Sequence, residues 1–409
     1  MARRPHILFL NEFYHPDICA SAVVAADHLP KIARMRPDWQ VTVIAGDRSW
    51  IDPTVVYPAA GEHEGVGVIR VNRPAVSRTN LIRRALGFAA FQRSAVRAAR
   101  VLEAVDLVVA TTAPPQGAEI ARRIAGAHQC PFVYKVLDLY PDLAAALGKT
   151  REGSLLYRRW LAADTRVMRA AARVVSIAER MTERIQTTRG LAVEKVTTIH
   201  DGFDASKLSV ATPNAFARAH NPSGRFVVQY AGNMGLSHPF ETILDAARRL
   251  APDADVLFQF IGDGPQRGQL ASHLPEGAQL LPYQPAERLG DVLAAADVCL
   301  ISQHDAMYDK ALPYKIYAIL ASGRPTVFVG NKKSEIAEWL IAGGAGRHVR
   351  QGEPDLLVEA ITRYRDRPDE RETGGAAARQ LFAARFDSEL SARKWVALIE
   401  ELISGPRGV

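Results

Sequence analysis

Two glycine-containing turns in the second half of the chain could hold an anionic ligand. Each follows a short apolar run and precedes a helical pattern, in FVVQYAGNMGLSHPF and in FQFIGDGPQRGQL. Gly232 and Gly235 in the first turn, and Gly262 and Gly264 around Asp263 in the second, let the backbone approach a ligand closely. The free N–H groups at the start of the following helix can bind an anion. One such turn is often purely structural, but two together favour a nucleoside diphosphate.

A third segment, KALPYKIYAILASGRPTVF, places a lysine in the first turn of a helix. Pro313 is typical of a helix start, and Ile316, Ile319 and Leu320 give this helix a buried face. Lys315 then opposes the helix dipole at a cost of a few tenths of a kcal/mol or more, which a bound phosphate would reverse. The alternative is a solvated lysine that binds no ligand.

The elements that must position these residues are short apolar runs that alternate with helical patterns. Continuous Val, Ile and Leu runs predict parallel strands covered by helices on both faces. The predicted strands are His6–Leu10, Gln40–Ala45, Val66–Val71, Leu107–Ala110, Phe132–Leu137, Arg173–Ile177, Val196–His200, Phe226–Tyr230, Val256–Ile261, Ala278–Leu281, Val298–Ile301 and Thr326–Val329. A chain of 409 residues exceeds the usual size of one domain, so the pattern predicts two doubly wound α/β domains.

The predicted break between the domains is the polar, turn-rich stretch 201–225. We therefore expect a first domain over residues 1–205, a second over 206–385 and a terminal helix over 386–409. That helix carries an apolar stripe with helical spacing, made of Trp395, Leu398, Ile399, Leu402 and Ile403. The fold class is α/β.

Ligands of open α/β sheets bind beyond the carboxyl ends of the strands, which draws attention to polar residues there. In the first domain, Asp138 follows one strand, and Glu12 and His15 follow another. Asp138 could orient a substrate, or it could simply hydrogen-bond within its loop. In the second domain, Tyr283 follows the Ala278–Leu281 strand, where a nucleotide base would lie, although an aromatic there is often only packing.

The net charge of +7 comes entirely from the first half of the chain. Residues 1–205 hold 28 Lys and Arg against 20 Asp and Glu, whereas residues 206–409 hold 23 against 24. Much of the excess lies in residues 78–100 and 151–173, where arginines mix with apolar residues at helical spacing. Arg83, Arg84, Arg158 and Arg159 lie here with Leu81, Leu86, Phe88, Leu155, Leu156 and Trp160. The alternatives are solvated helix faces, or a basic amphipathic surface for anionic lipid or a phosphorylated acceptor.

Composition excludes several classes. No nucleic-acid-binding signature accompanies the charge, and no apolar run is long enough to span a membrane. Three cysteines with no metal-ligand or disulfide spacing fit a reducing cytoplasm. We expect a cytoplasmic protein, with peripheral contact to the inner membrane face as the alternative, and no metal site.

The combined motifs YAGNMG, GDGP, AAADVCLIS and ALPYKIYAILASGRPTV resemble the donor domain of family 4 retaining glycosyltransferases of GT-B fold. In the first half, HILFLNEFYHPD, LVVATTAPP and YKVLDLYPDLAAAL resemble the bacterial subgroup that adds N-acetylated aminosugars during surface polysaccharide assembly. The resemblance implies two Rossmann-like domains facing a central cleft, the first for the acceptor and the second for the nucleotide-sugar donor. It also implies a terminal helix that returns to the first domain.

The sequence departs from the family at several positions. Lys310 and Ala318 stand where many members carry a Glu-x7-Glu pair, and Ala20 and Ser21 replace a glycine pair. Asn233 and His238 stand where the family has the arginine and lysine that bind pyrophosphate. We expect these two residues to contact the donor together with Lys315, and His238 would stabilise the leaving phosphate if it is protonated. We also place Tyr314 in that donor site.

The resemblance implies metal-free transfer with retention, from a UDP-sugar to a glycan, a lipid-linked acceptor or a small molecule. Such a reaction depends on stabilising the negative charge of the leaving diphosphate. Glu12, His15, Asp138 and Lys315 are the catalytic candidates. Two alternatives remain: a sugar-nucleotide epimerase, which the missing carboxylates disfavour, and a non-catalytic descendant that only binds nucleotide.

Overall fold

The computed structural model describes residues 3–50, 52–74, 81–115, 117–211 and 214–405, with backbone alone over 81–86. It divides into two compact units. Unit 1 comprises Met1–Asp201 and Ser388–Val409, and unit 2 comprises Gly202–Asp387. Each unit is built around its own twisted sheet.

Unit 1 carries a mostly parallel sheet of eight strands within the described residues. The strands are β1 His6–Leu10, β2 Gln40–Gly46, β3 Ala60–His63, β4 Val66–Val71, β5 Leu107–Thr111, β6 Phe132–Val136, β7 Arg173–Ser176 and β8 Val196–Thr198. The spatial order is β3-β4-β2-β1-β5-β6-β7-β8, with β3 antiparallel to β4 and every other pair parallel. The helices between these strands are α1 Ala20–Met35, α2 Leu81–Arg100, α3 Gly117–His128, α4 Asp142–Ala146, α5 Leu155–Ala170 and α6 Glu179–Arg189.

Unit 2 carries a six-stranded parallel sheet. Its strands are β9 Phe226–Ala231, β10 Val256–Ile261, β11 Gln279–Leu281, β12 Val298–Ser302, β13 Thr326–Val329 and β14 Gly346–Val349. Its helices are α7 Ala215–His220, α8 Glu241–Leu250, α9 Arg267–Ser272, α10 Leu289–Ala294, α11 Lys315–Ser322, α12 Glu335–Ala342, α13 Pro354–Asp366 and α14 Pro368–Arg385. The spatial order β11-β10-β9-β12-β13-β14 is the doubly wound order 3-2-1-4-5-6.

The predicted α/β class with two doubly wound parallel sheets is confirmed. Each predicted strand is present, with ends that differ by at most two residues. Two strands escaped prediction. Strand β3 is a short, exposed edge strand in a hairpin closed by Glu64 and Gly65, both at positive φ, and half-buried β14 contains one fully buried residue, Val349.

The terminal helix, α15 Ser388–Ser404, packs within unit 1. Trp395, Leu398 and Ile399 are buried in the same core as the β1 and α1 side chains, with Leu402 and Ile403 packed at its margin. The start of the helix is also held by a polar contact, because buried Lys31 Nζ donates a 2.9 Å hydrogen bond to Ser388 Oγ. No described helix is both long enough and apolar enough to cross a bilayer.

The order of the strands fixes where each unit can bind a ligand. The winding direction reverses between β9 and β12 in unit 2 and between β1 and β5 in unit 1. A crevice opens beyond the carboxyl ends of the strands at such a point. The loops after these strands are therefore the candidate site of each unit.

Candidate active site

The first turn of unit 2 leaves the end of β9 with a backbone conformation that favours glycine. Gly232 has φ 128°, and its N–H donates to the Ile261 carbonyl at 2.8 Å. The turn is tied to its own strand, since the Tyr230 hydroxyl donates to the Asn233 carbonyl at 2.7 Å. These contacts hold the turn at the switch point of the sheet.

The second turn, after β10, packs backbone to backbone against the first. Gly262 and Gly264 have φ 137° and 151°, and a Cβ atom on Gly262 would lie 2.1 Å from the Gly232 carbonyl oxygen. A Cβ on Gly264 would lie 2.6 Å from the Met234 carbonyl oxygen, while the Met234 N–H donates to the Asp263 carbonyl at 2.8 Å. No side chain fits between the turns, so the two glycines are required by the structure whether or not a ligand is bound.

One side chain that sequence reasoning missed, Gln266, clamps the two turns together. Its backbone N–H donates to the Met234 carbonyl at 3.0 Å, and its side-chain amide donates to the carbonyls of Gly235 and His238. Gln266 lies four residues after Gly262, in the last position before α9. A glutamine just before a helix gives no signal in the sequence that it reaches back to another turn.

Lys315 brings an amine to the first turn from a different element. It is the first residue of α11, and its Nζ lies 3.6 Å from the centre of the Tyr230 ring. A Cβ on Gly232 would lie 3.1 Å from the same Nζ. Among the described residues this buried Nζ has no hydrogen-bond partner, and burial lowers the pKa of Lys315 to about 7. An unpartnered amine against a glycine turn is an arrangement suited to an anion.

His238 does not have the charge that the sequence interpretation gave it. Its Nδ1 lies 2.7 Å from the Ser302 carbonyl oxygen, which can only accept, so Nδ1 carries the hydrogen and Nε2 the lone pair. Burial, together with the nearby Lys315 charge, lowers the pKa of His238 to about 3. The condition for a cationic role of His238 at the leaving phosphate is therefore not met, and this imidazole is a neutral hydrogen-bond acceptor.

The other residues predicted to bind the nucleotide-sugar donor belong to the two turns or to other segments of unit 2. Asn233 is exposed at the tip of the first turn, and Asp263 Oδ1 accepts from the Gly264 N–H at 2.7 Å. Tyr283 exposes 49% of its surface, and its hydroxyl donates to the Asp263 carbonyl at 3.3 Å, so its ring is available for stacking. Tyr314 is half-buried, with its ring 5.7 Å from that of Tyr317.

In unit 1, Asp138 lies just beyond β6 with an uncompensated carboxylate. Its backbone N–H donates to Thr112 Oγ1 at 3.2 Å, and its carboxylate makes no hydrogen bond or ion pair within the described part of the chain. Burial alone raises the pKa of Asp138 to about 6. The alternative role of Asp138, a hydrogen bond within its loop, is therefore filled by its backbone N–H and not by its carboxylate. A perturbed carboxylate at the carboxyl edge of a sheet is typical of a functional site.

Glu12 and His15 follow β1 but differ from Asp138 in their surroundings. Glu12 Oε1 accepts a 2.8 Å charged hydrogen bond from Arg73 Nε, so this carboxylate is already paired. His15 is exposed, and its ring stacks on that of His63 with centroids 4.0 Å apart. Of the first-domain candidates, Asp138 is thus the one whose carboxylate is left for a substrate.

Neighbouring acidic residues have structural roles. Asp142 is fully buried and accepts from Arg189 Nη2 at 2.5 Å and Arg184 Nη2 at 2.6 Å. Asp17 accepts from the Trp50 N–H and the Tyr57 hydroxyl. Nowhere in the described ranges do three or more His, Cys, Asp or Glu side chains cluster so that they could hold a metal ion.

Two protein-family models match this chain, one in each half. Residues 3–202 match the family described as "Glycosyl transferase 4-like domain", and residues 225–366 match "Glycosyl transferases group 1". A curated relative, "Probable glycosyltransferase WbjE" of Pseudomonas aeruginosa, is 24% identical over 383 residues, which cover 90% of this chain and 94% of that protein.

Solved structures share the fold over nearly the whole chain. Sucrose-phosphate synthase from Thermosynechococcus elongatus has a TM-score of 0.77 at 15% identity, covering 98% of this chain and all of that one. HepE from Anabaena in complex with UDP and glucose has a TM-score of 0.70 at 18% identity, covering 97% of this chain and all of that one. The chain therefore belongs to the glycosyltransferases of GT-B fold, with a glycosyltransferase 4-like domain followed by a group 1 domain.

Proposed function

We propose that this glycosyltransferase transfers a sugar from a nucleoside diphosphate donor, held by unit 2, to a hydroxyl acceptor held by unit 1. The observation that carries the proposal is the position of Lys315 Nζ against Gly232 of the first turn, where it has no hydrogen-bond partner among the described residues. HepE, whose fold is similar, was crystallised with UDP and glucose, which supports UDP as the first nucleotide to test.

The chemistry required of unit 2 is stabilisation of the leaving diphosphate. Lys315 supplies a cation, and the first turn supplies the N–H groups of Asn233 and Gly235, because those of Gly232 and Met234 already donate to carbonyls. Asn233 can also donate from its side-chain amide. Removing one such donor typically raises a barrier by about 3–4 kcal/mol. Tyr283 would stack on the base. The resemblance to retaining enzymes supports retention at the anomeric carbon, and Asp138 is the carboxylate that would orient the acceptor or the donor sugar.

Transfer to a panel of acceptors tests this function. The full chain is incubated with radiolabelled UDP-, GDP- and dTDP-sugars, aminosugars included, together with simple glycoside acceptors. Release of nucleoside diphosphate with formation of a labelled product supports a transferase, and proton NMR of the product gives its anomeric configuration. Conversion of the donor to an epimer, or tight binding without turnover, would contradict the proposal in favour of one of the alternatives.

The acceptor could be lipid-linked, and helix α5 gives this idea a specific surface. Leu155 and Leu156 expose 80% and 65% of their surfaces, and Arg158 and Arg159 are exposed beside them, while Trp160 stacks on Tyr140. The side chains of Arg83, Arg84, Leu81 and Leu86 lie outside the described residues. Each arginine near an anionic leaflet contributes about 1 kcal/mol, an attraction that salt screens.

Co-sedimentation with liposomes distinguishes a membrane surface from a solvated helix face. We expect the full chain to bind vesicles containing phosphatidylglycerol at low salt and to be released at about 0.5 M salt. Arg158→Glu combined with Arg159→Glu should abolish binding. The charge-matched control, Arg218→Glu with Arg288→Glu in unit 2, should leave it unchanged. Equal binding to neutral vesicles, or none to anionic ones, would favour a small soluble acceptor.

A further inference from the structure

Lys315 is placed where a bound anion would be its main counter-charge. Two titratable groups face it from neighbouring elements. They are Tyr230 of β9, under its Nζ, and His238 of the first turn, whose pKa the lysine lowers. Both are neutral at physiological pH, because burial raises the pKa of Tyr230 far above its usual range and lowers that of His238 to about 3. The described residues form no ion pair with Lys315.

A buried ammonium without an acceptor is costly, so the free site favours the neutral amine. The Nζ atom is closed off from solvent and lies over the ring of Tyr230, 3.6 Å from its centre. A cation–π attraction to this ring offsets part of the desolvation cost of the ammonium but supplies no hydrogen-bond acceptor. The nearest charged side chain of the second turn, Asp263, already accepts the Gly264 N–H. Within the described residues, the positive charge of Lys315 therefore has the Tyr230 ring beside it but no hydrogen-bond acceptor and no counter-ion until an anion arrives.

We propose that the donor binds with uptake of one proton by Lys315, while His238 stays neutral and accepts a hydrogen bond through Nε2. This inference rests on the proposed function, because the anion is the diphosphate of the nucleotide sugar. The step balances simply: the amine takes a proton from the buffer to become an ammonium, and no bond of the donor is made or broken. Above about pH 7 the site would thus acquire most of its catalytic charge when the leaving group binds.

The coupling has a defined direction with pH. The free-site pKa of Lys315 is about 7, and a diphosphate beside the ammonium raises it. Below pH 7 the lysine is already charged, so donor binding takes up few protons. Above pH 7 the lysine must take a proton from the buffer when the donor binds. The uptake then approaches one proton per donor molecule, and the affinity falls by up to about tenfold per pH unit.

Calorimetry on the full chain with UDP-glucose, as the probe, tests the coupling directly. The diphosphate of this donor is a diester that does not titrate near neutral pH, so it contributes no protons. Binding enthalpies are measured at about pH 8.5 and about pH 6 in buffers of different ionisation enthalpy. The slope of binding enthalpy against buffer ionisation enthalpy gives the number of protons taken up per donor bound. For the wild-type chain we expect a slope near one at the higher pH and near zero at the lower.

Three variants assign the proton to a residue. Lys315→Arg keeps the charge in a group that never deprotonates, and should bind without uptake at either pH. Lys315→Met should bind more weakly and without uptake, whereas His238→Gln should keep an uptake near one at about pH 8.5. Binding of UDP-glucose with no uptake by the wild-type chain, or loss of uptake in His238→Gln, would overturn the inference. If none of UDP-, GDP- and dTDP-glucose binds, the proposed function fails, and the inference with it.

Discussion

Replacing Gly262 by alanine should separate the two turns that form the donor site. The new Cβ would lie 2.1 Å from the Gly232 carbonyl oxygen, against an ordinary contact of at least 3.4 Å, so the turns must part by more than 1 Å. Alanine at φ 137° adds backbone strain of about 1–3 kcal/mol, and overpacking adds about 1–3 kcal/mol. We expect a loss of about 4 kcal/mol in the stability of unit 2.

The assay is thermal unfolding of the full chain, followed by donor binding at a temperature where the variant is folded. A unit of this size loses about 2–4 °C in its unfolding temperature per kcal/mol, so the transition of unit 2 should fall by about 8–16 °C. Because the displaced Gly232 carbonyl belongs to the first turn, we expect UDP-glucose binding to weaken by about a hundredfold.

The matched control is Gly268→Ala, six residues later. Gly268 lies in α9, and a Cβ there would meet no atom within 4 Å, so alanine should be neutral or raise the helix stability by up to about 1 kcal/mol. If the unfolding temperature of Gly262→Ala equals that of Gly268→Ala within error, and the variant binds UDP-glucose as tightly as wild type, the packing argument for the two turns is refuted.

Three further substitutions test individual residues. Asp138→Asn should cut turnover, measured as kcat, by about a hundredfold or more. Because burial raises the pKa of Asp138 to about 6, the same substitution should stabilise the chain against urea above pH 6 but not below about pH 4. Lys315→Met should raise the unfolding temperature most below pH 7, where the wild-type lysine carries a buried charge, and equal shifts at pH 6 and about pH 9 would contradict that. Gln266→Ala should cost about 1–3 kcal/mol by removing the side-chain hydrogen bonds to the Gly235 and His238 carbonyls, the first of which keeps the His238 N–H. Exposed Gln269→Ala should cost nothing measurable in the same melts.

The sequence was sufficient to predict the architecture because buried parallel strands leave a strong signal. Runs such as Val256–Ile261 are buried at each position, which is why their continuous apolar pattern marked them. Strand β3, AGEH, has no buried residue, and only its pairing with β4 makes it a strand. An exposed edge strand of this kind resembles a loop in composition, so its pattern could not reveal it.

For the site, the sequence predicted which segments meet but not how their side chains are paired. The glycine turns and Lys315 were marked by local spacing alone. The neutral state of His238 depends on the Ser302 carbonyl, 64 residues further on, and the pairing of Glu12 depends on Arg73, 61 residues further on. Such contacts are set by the packing of distant loops, and no local pattern records them.

The central claim is that the donor diphosphate is bound by the two turns of unit 2 and by Lys315. The most direct measurement is a crystal structure of the full chain with UDP-glucose. We predict diphosphate oxygens within hydrogen-bond distance of N–H groups in the Gly232–Gly235 turn and of Lys315 Nζ, with the base beside Tyr283. A diphosphate bound only within residues 1–201, or bound to unit 2 with Lys315 Nζ beyond hydrogen-bond distance of every diphosphate oxygen, would contradict the account.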